Sequence, residues 1–303
     1  MPIDPVVRAR LGSVTADVPL HVALQDVTAG YRMPEVKIEE TAIDGPRGPI
    51  RIRLYRPAGA TSPRAGLLWL HGGGWARGDL DMPEAHVVAA ELAARPGAVV
   101  ASAEYRLAAE TSRYPVPLDD VHAAWRWFTG AAAELGADPR RLAIGGCSAG
   151  GNLAAGAAAR ARDEADTLPS ALLLAYPFLH FPVPAPPGGL IDDLGSLPER
   201  LRFTAETVLS LTHAYVGRVS GIPAHAMPGN GAVGGLPRTF IVLSEIDELR
   251  PSGELFARQL RECGIPVETM TARGLPHGHL NLAPVDALPE IRRSIDFLGS
   301  ALA

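Results

Sequence analysis

The stretch Leu142–Ala155, LAIGGCSAGGNLAA, decides how the rest of the chain is read. Leu142, Ala143 and Ile144 form a short apolar run. A cluster of glycines with one serine at its centre follows, and then an alanine-rich segment without proline or β-branched residues. This order predicts a strand, a sharp turn and a helix. Gly146, Ser148 and Gly150 have the Gly-x-Ser-x-Gly spacing. A serine at the tip of so tight a turn is strained, and the residues two places either side must lack a Cβ for strand and helix to approach. Ser148 Oγ is then a candidate nucleophile above a sheet. The helix beginning at Ala149 offers backbone N–H groups to a developing oxyanion. The same spacing also fits an ordinary glycine-rich strand-to-helix turn.

Composition narrows the choice. In 303 residues, 47% are hydrophobic and 20% charged, enough apolar material for a large core. The net charge is −5 without a basic stripe, which favours neither nucleic acid nor an anionic membrane surface. Lys37 is the sole lysine. Cys147 and Cys263 show neither zinc-site spacing nor a disulfide framework. The longest apolar run, Ala171–Leu179, contains Pro177 and falls short of a membrane span. The N-terminal residues lack the apolar core of a signal peptide. A soluble cytoplasmic protein is the expectation.

Outward from the serine, Val36–Ile43 and Ile50–Tyr55 alternate with period two about a Gly/Pro turn, which predicts a hairpin. From residue 66 onward, apolar strand candidates alternate with helical segments: Gly66–Leu70, Met82–Arg95, Ala98–Ala103, a helix opened by Asp119 and Asp120, the Leu142 strand, Ser170–Tyr176, Arg238–Ser244, Ser252–Cys263, Pro266–Thr271 and Leu288–Leu302. That alternation predicts an α/β fold, a mostly parallel sheet with helices on both faces behind an antiparallel hairpin. Residues 1–35 and the Gly/Pro-rich insertion at about 180–235 lack strand partners. They are expected to form a cap on a single domain spanning 1–303.

A serine nucleophile needs a base, and the base needs an acid to hold its tautomer. Asp247 follows the strand near Phe240–Ser244, and His277 follows the strand near Val267–Thr271. Both would lie at strand C-terminal ends, where an open α/β sheet gathers its site. His279 is the rival base, and Glu245 and Glu248 are rival acids. His277 is preferred because it sits at the turn between Pro276 and Gly278. Upstream, His71-Gly72-Gly73-Gly74 leaves a strand and exposes bare backbone for an oxyanion. A phosphate-cradling loop would need a following Gly-Lys-Ser/Thr, which is absent.

With these motifs in place, the sequence resembles the hormone-sensitive-lipase-like (bacterial family IV) esterases of the α/β-hydrolase superfamily. The resemblance rests on His71–Trp75, Tyr105–Glu110, Gly146–Ala154, Asp247–Arg250 and His277-Gly278. It implies an eight-stranded α/β-hydrolase fold with a helical cap and a Ser148, Asp247, His277 triad. It also implies oxyanion donors at Gly73, Gly74 and Ala149. Trp75, His279 and Phe181 are expected to line the substrate pocket. The implied reaction is hydrolysis of a small or medium acyl ester through a serine acyl-enzyme, with neither metal nor organic cofactor. Acyl transfer, lactone or natural-product ester cleavage, and a non-catalytic small-molecule receptor are the alternatives. The expected partner is a small-molecule ester, and the resemblance is compatible with a homodimer. Four positions depart from the family pattern: Cys147 stands where Asp is usual, Ala109 where Pro is usual, Pro251 where a second acid is usual, and His279 where Phe is common.

Overall fold

The computed structural model describes residues 3–15, 17–59 and 63–303. Eight strands form one sheet: β1 (Val36–Ile43), β2 (Ile50–Pro57), β3 (Arg64–Leu70), β4 (Val99–Ala103), β5 (Ala137–Cys147), β6 (Ala171–Ala175), β7 (Thr239–Ile246) and β8 (Val267–Pro276). Their spatial order is β1-β2-β4-β3-β5-β6-β7-β8. β2 pairs antiparallel with β1 and β4, and all later pairings are parallel. The hairpin register runs from Val36 opposite Pro57 to Ile43 opposite Ile50, as the period-two pattern predicts.

The helices are α1 (Pro5–Arg8), α2 (Leu20–Ala23), α3 (Gln25–Thr28), α4 (Pro83–Ala94), α5 (Val116–Ala131), α6 (Ala149–Asp163), α7 (Gly188–Leu194), α8 (Ala205–Val216), α9 (Arg250–Glu262) and α10 (Pro289–Ser300). Alternate strand residues serve opposite faces, because the side-chain period of a strand is two. Leu68, Leu70, Ile144, Leu172, Leu174, Ile241 and Leu243 pack with Trp125 and Phe128 of α5, Leu153 of α6 and Phe256 of α9. Leu67, Trp69, Ala143, Leu173, Phe240 and Val242 pack with Val88 and Leu92 of α4 and Ile291 and Ile295 of α10. The central strands are therefore buried on both sides, which accounts for their continuous apolar runs.

Several boundaries differ from the sequence reading. α5 starts at Val116, so Asp119 and Asp120 lie inside its first turns and do not cap it. Asp120 is buried and takes Arg106 instead, accepting from its backbone N–H at 2.9 Å and from Nη1 at 2.6 Å. β7 and β8 run on to Ile246 and Pro276, so Asp247 and His277 follow their strands directly. The N-terminal segment packs inward through Val7, Leu11, Leu20 and Leu24, in the same buried cluster as Leu190 and Leu194 of α7. Its Asp4 N–H donates to Gly274 O on β8, and its Tyr31 hydroxyl to Glu91 on α4.

Candidate active site

The turn at Ser148 is as strained as its sequence implies. Ser148 has φ 52° and ψ −115° between the end of β5 and the start of α6, a backbone region that L-residues rarely occupy. Its N–H donates to Ala175 O on β6 at 2.8 Å, which pins the turn to the sheet. The flanking glycines are required by space. A Cβ at Gly146 would lie 2.6 Å from Leu70 O, and one at Gly150 would lie 2.3 Å from His71 O. The backbone leaving β3 runs against both positions, so β3 and the elbow are fitted to each other.

Ser148 Oγ–H donates to His277 Nε2 at 2.8 Å, and His277 Nδ1–H donates to Asp247 Oδ2 at 2.7 Å. Asp247 is buried, and its Oδ1 accepts from the Leu249 N–H at 2.8 Å. That last bond fixes the carboxylate's rotation, which in turn fixes the imidazole's tautomer. The arrangement can move a proton from serine to imidazole while the acid stabilises the cation. The rival acids are engaged elsewhere. Glu245 accepts from the Gly274 N–H at 2.7 Å, and Glu248 accepts from Arg202 Nε at 2.7 Å and the Phe203 N–H at 3.0 Å.

Gly73 (φ 102°) and Gly74 (φ 62°) sit beside Ser148 and His277 in the wall of a cavity of about 170 Å³. Among the described residues no acceptor takes their N–H groups. Ala149 is the first residue of α6, where helix geometry leaves the N–H without an intrahelical partner. Two bare donors therefore border one small cavity at the serine, and the Ala149 N–H opens the helix that begins next to it. The Tyr105 motif braces this loop. The Tyr105 hydroxyl donates to His71 O at 2.8 Å, and the Ala108 N–H donates to Trp75 O at 2.7 Å.

Sequence reading missed Glu84, near the start of α4. It is buried, and its carboxylate takes three donors from three loops. Oε1 accepts from the Gly72 N–H at 2.7 Å, and Oε2 from the Tyr176 hydroxyl at 2.7 Å and Asn281 Nδ2 at 3.0 Å. Gly72 precedes Gly73 and Gly74, Tyr176 follows β6 with its ring 4.9 Å from that of His277, and Asn281 follows the histidine turn. Burial raises the Glu84 pKa, and Tyr176 and Gly72 oppose the rise by hydrogen bonding the charged form. The Cys147 thiol is buried beside it; burial and then the Glu84 charge push its pKa well up, so it stays a thiol. A carboxylate from α4 therefore lies beside the thiol of position 147. The only sequence signal was an acidic residue after Pro83, and that pattern marks any first helical turn.

Two expected pocket residues are packing residues. Trp75 is fully buried, stacked at 4.4 Å on Tyr215 of α8 and 5.2 Å from Phe178. It bolts α8 to the Gly73-Gly74 loop. His279 is fully buried with Nδ1 2.9 Å from Ser244 Oγ and Nε2 3.1 Å from Ser294 Oγ, partners that turn it away from the serine. Burial, then the charge of His277, lower its pKa to about 3. Phe181 lines a separate cavity of about 560 Å³ with Pro182–Pro186, Arg202–Ala205, Val208, Leu209 and Glu248.

The sequence of residues 67–281 matches the family described as alpha/beta hydrolase fold. Esterase LipI of Mycobacterium tuberculosis is 31% identical over 93% of this chain and 89% of its own length. Carboxylesterase NlhH from the same organism is 36% identical over 84% of this chain and 78% of its own. Among solved structures, the hyperthermophilic esterase of the archaeon Pyrobaculum calidifontis superposes with a TM-score of 0.85 at 29% identity, covering 100% of this chain and 98% of that one. The chain belongs to the α/β-hydrolase fold family, among its hormone-sensitive-lipase-like esterases.

Proposed function

We propose that this protein is a serine carboxylesterase acting on small-molecule esters through an acyl-enzyme. The observation that carries this reading is the unbroken chain of hydrogen bonds from Ser148 to His277 to Asp247 beside the free N–H groups of Gly73, Gly74 and Ala149. Ser148 Oγ attacks the ester carbonyl as its proton passes to His277 Nε2. The carbonyl oxygen becomes an oxyanion held by the three N–H groups, where one lost donor typically costs about 100- to 1,000-fold in rate. His277 then protonates the leaving alcohol, the acyl group stays on Ser148, and a water deprotonated by His277 releases the acid. Asp247 orients the imidazole and offsets its charge without taking the proton.

Residues 1–35 and about 180–235 form the cap in this reading. Its support is the buried cluster shared by the N-terminal segment and α7, and the approach of α8, whose Leu211 would stand 2.8 Å from a Cβ at Gly74. Among the described residues no helix is long and apolar enough to cross a membrane. The reading keeps the cytoplasmic setting expected from the sequence and leaves monomer against homodimer to light scattering.

The test is hydrolysis of p-nitrophenyl acetate and butyrate, with labelling by a fluorophosphonate. Turnover and labelling that both vanish in Ser148→Ala support the proposal. Turnover equal to that of Ser148→Ala, with an unlabelled wild-type protein, overturns it.

A further inference from the structure

Glu84 is a buried carboxylate without a resident cation. Its partners, the Gly72 N–H, the Tyr176 hydroxyl and Asn281 Nδ2, are neutral donors, and among the described residues no arginine, lysine or histidine forms an ion pair with it. Other buried acids are compensated by charge: Asp120 holds Arg106, Glu91 holds Arg95 and Glu248 holds Arg202. Taking a carboxylate out of water without a counter-charge is costly. Burial opposes the charge of Glu84; hydrogen bonds from Tyr176 and Gly72 favour it, and so does a positive charge on His277.

The other groups around it carry no charge that could take that place. Burial pushes the Cys147 thiol of β5 and the Tyr105 and Tyr176 hydroxyls well up, and pushes His71 and His279 down. Arg77, in the same cavity wall, is exposed and makes no ion pair with Glu84. The cation that Glu84 lacks is therefore the one that forms on His277 when Ser148 gives up its proton.

The geometry brings this carboxylate to the reacting groups. Glu84 lines the cavity of about 170 Å³ together with Ser148, His277 and Asn281. A Cβ at Gly72 would lie 2.5 Å from Glu84 Oε1 and 3.1 Å from Ser148 Cβ, so the acid and the serine close on the same bare backbone. Tyr176 stands at φ 38°, a left-handed backbone that a tyrosine rarely adopts, with its N–H on Val242 O at 2.6 Å. Held there, it gives its hydroxyl to Glu84 and sets its ring 4.9 Å from that of His277 at 63°.

We propose that Glu84 is a positioning residue that works through its charge: a second carboxylate, besides Asp247, that favours the His277 imidazolium while its bonds hold the Gly72 backbone and the Tyr176 ring in place. This rests on the esterase reading given above. The proton passes from Ser148 Oγ to His277 Nε2 as before, and Glu84 neither takes nor gives one.

The experiment follows kcat and KM for p-nitrophenyl acetate against pH in the wild type, Glu84→Gln and Glu84→Asp, each checked for folding by circular dichroism. Glu84→Gln is expected to lower kcat at least about tenfold with KM within about twofold. The acid limb of kcat/KM should also move at least about half a pH unit toward lower pH, because a histidine without the nearby anion gives up its proton more readily. Glu84→Asp keeps the charge but draws it back by one methylene, so its limb should move the same way by less. If Glu84→Gln does not fold, Glu84→Asp decides by the same criterion. A limb that stays in place or moves to higher pH overturns the proposal, whatever happens to kcat, and leaves Glu84 a hydrogen-bonding scaffold in an intact esterase. Absence of turnover and of fluorophosphonate labelling in the wild type instead removes the catalytic reading beneath it.

Discussion

His279 makes stability depend on acid in a way that can be isolated from the rest of the protein. Its imidazole is fully buried between Ser244 and Ser294, with the Tyr176 ring 5.0 Å away. The Ser294 hydroxyl already donates to Glu290 O at 2.8 Å, so it can only accept from His279 Nε2–H. Nδ1 is then the acceptor for Ser244, and the neutral ring is satisfied. The Pro276 carbonyl is the one neighbour favouring a cation, against burial and His277. Folding lowers this pKa from 6.5 to about 3. Between those values the unfolded chain binds a proton that the folded chain refuses. Stability therefore falls as pH drops below the unfolded value and is unaffected above it. At about 1.4 kcal/mol per pH unit, the loss is about 2 kcal/mol at pH 5 and about 3 kcal/mol at pH 4. Burial likewise lowers the pKa values of His71, His122 and His180, so the wild type loses more than this in total. The difference between wild type and His279→Gln removes their contribution. Urea unfolding near neutral pH and near pH 5 should show the advantage of wild type over the variant shrinking by about 2 kcal/mol in acid. An advantage that stays constant within about 0.5 kcal/mol between the two conditions would refute the reasoning.

Further outcomes follow from the geometry. Asp247→Asn should keep the fold and lower kcat by roughly 10⁴-fold in steady-state kinetics, because the amide favours the wrong imidazole tautomer. Gly73→Ala puts a Cβ 2.1 Å from Arg77 O at φ 102°; turnover of p-nitrophenyl acetate should fall by at least about 100-fold as the oxyanion loop shifts. Arg106→Ala leaves the Asp120 charge buried without its cation and should cost about 3–5 kcal/mol, read as a lower unfolding midpoint in urea. Glu84→Ala orphans two buried donors, the Gly72 N–H and the Tyr176 hydroxyl, at about 1–3 kcal/mol each and should lower the unfolding midpoint in urea. Glu84→Gln keeps one acceptor for the Gly72 N–H, so it should remain folded by circular dichroism with kcat/KM reduced and fluorophosphonate labelling slowed.

What could be read in the sequence was whatever chain spacing itself encodes. The Gly-x-Ser-x-Gly spacing encodes the turn because Gly146 and Gly150 lie against each other and against the backbone of Leu70 and His71 at the end of β3. Period-two alternation gave the hairpin register, and the doubly buried strands announced a parallel sheet. His277 and Asp247 could be placed because each follows a strand end. Strand ends themselves were less legible: β7 and β8 run past their apolar cores, through Glu245 and through Arg273-Gly274, where the register shifts and the Glu245 carboxylate takes the Gly274 N–H.

Side-chain direction was the part spacing could not carry. His277 and His279 are two residues apart, and only the partners Ser244 and Ser294, far off in sequence, turn one ring inward while Asp247 turns the other to the serine. Trp75 looked like pocket lining because it abuts the oxyanion glycines; Tyr215, well over a hundred residues away, makes it a packing residue. Cys147 is the sharpest case. A cysteine in place of an aspartate looks like a lost brace when the elbow is considered alone. In three dimensions a carboxylate arrives beside that thiol from α4 and reaches Gly72, Tyr176 and Asn281 together. A second carboxylate at position 147 would face Glu84 in a buried site, where two like charges cannot both stay ionised. The small neutral thiol and the long acid on α4 are therefore one solution to a single electrostatic constraint, and neither residue is intelligible from its own stretch of chain.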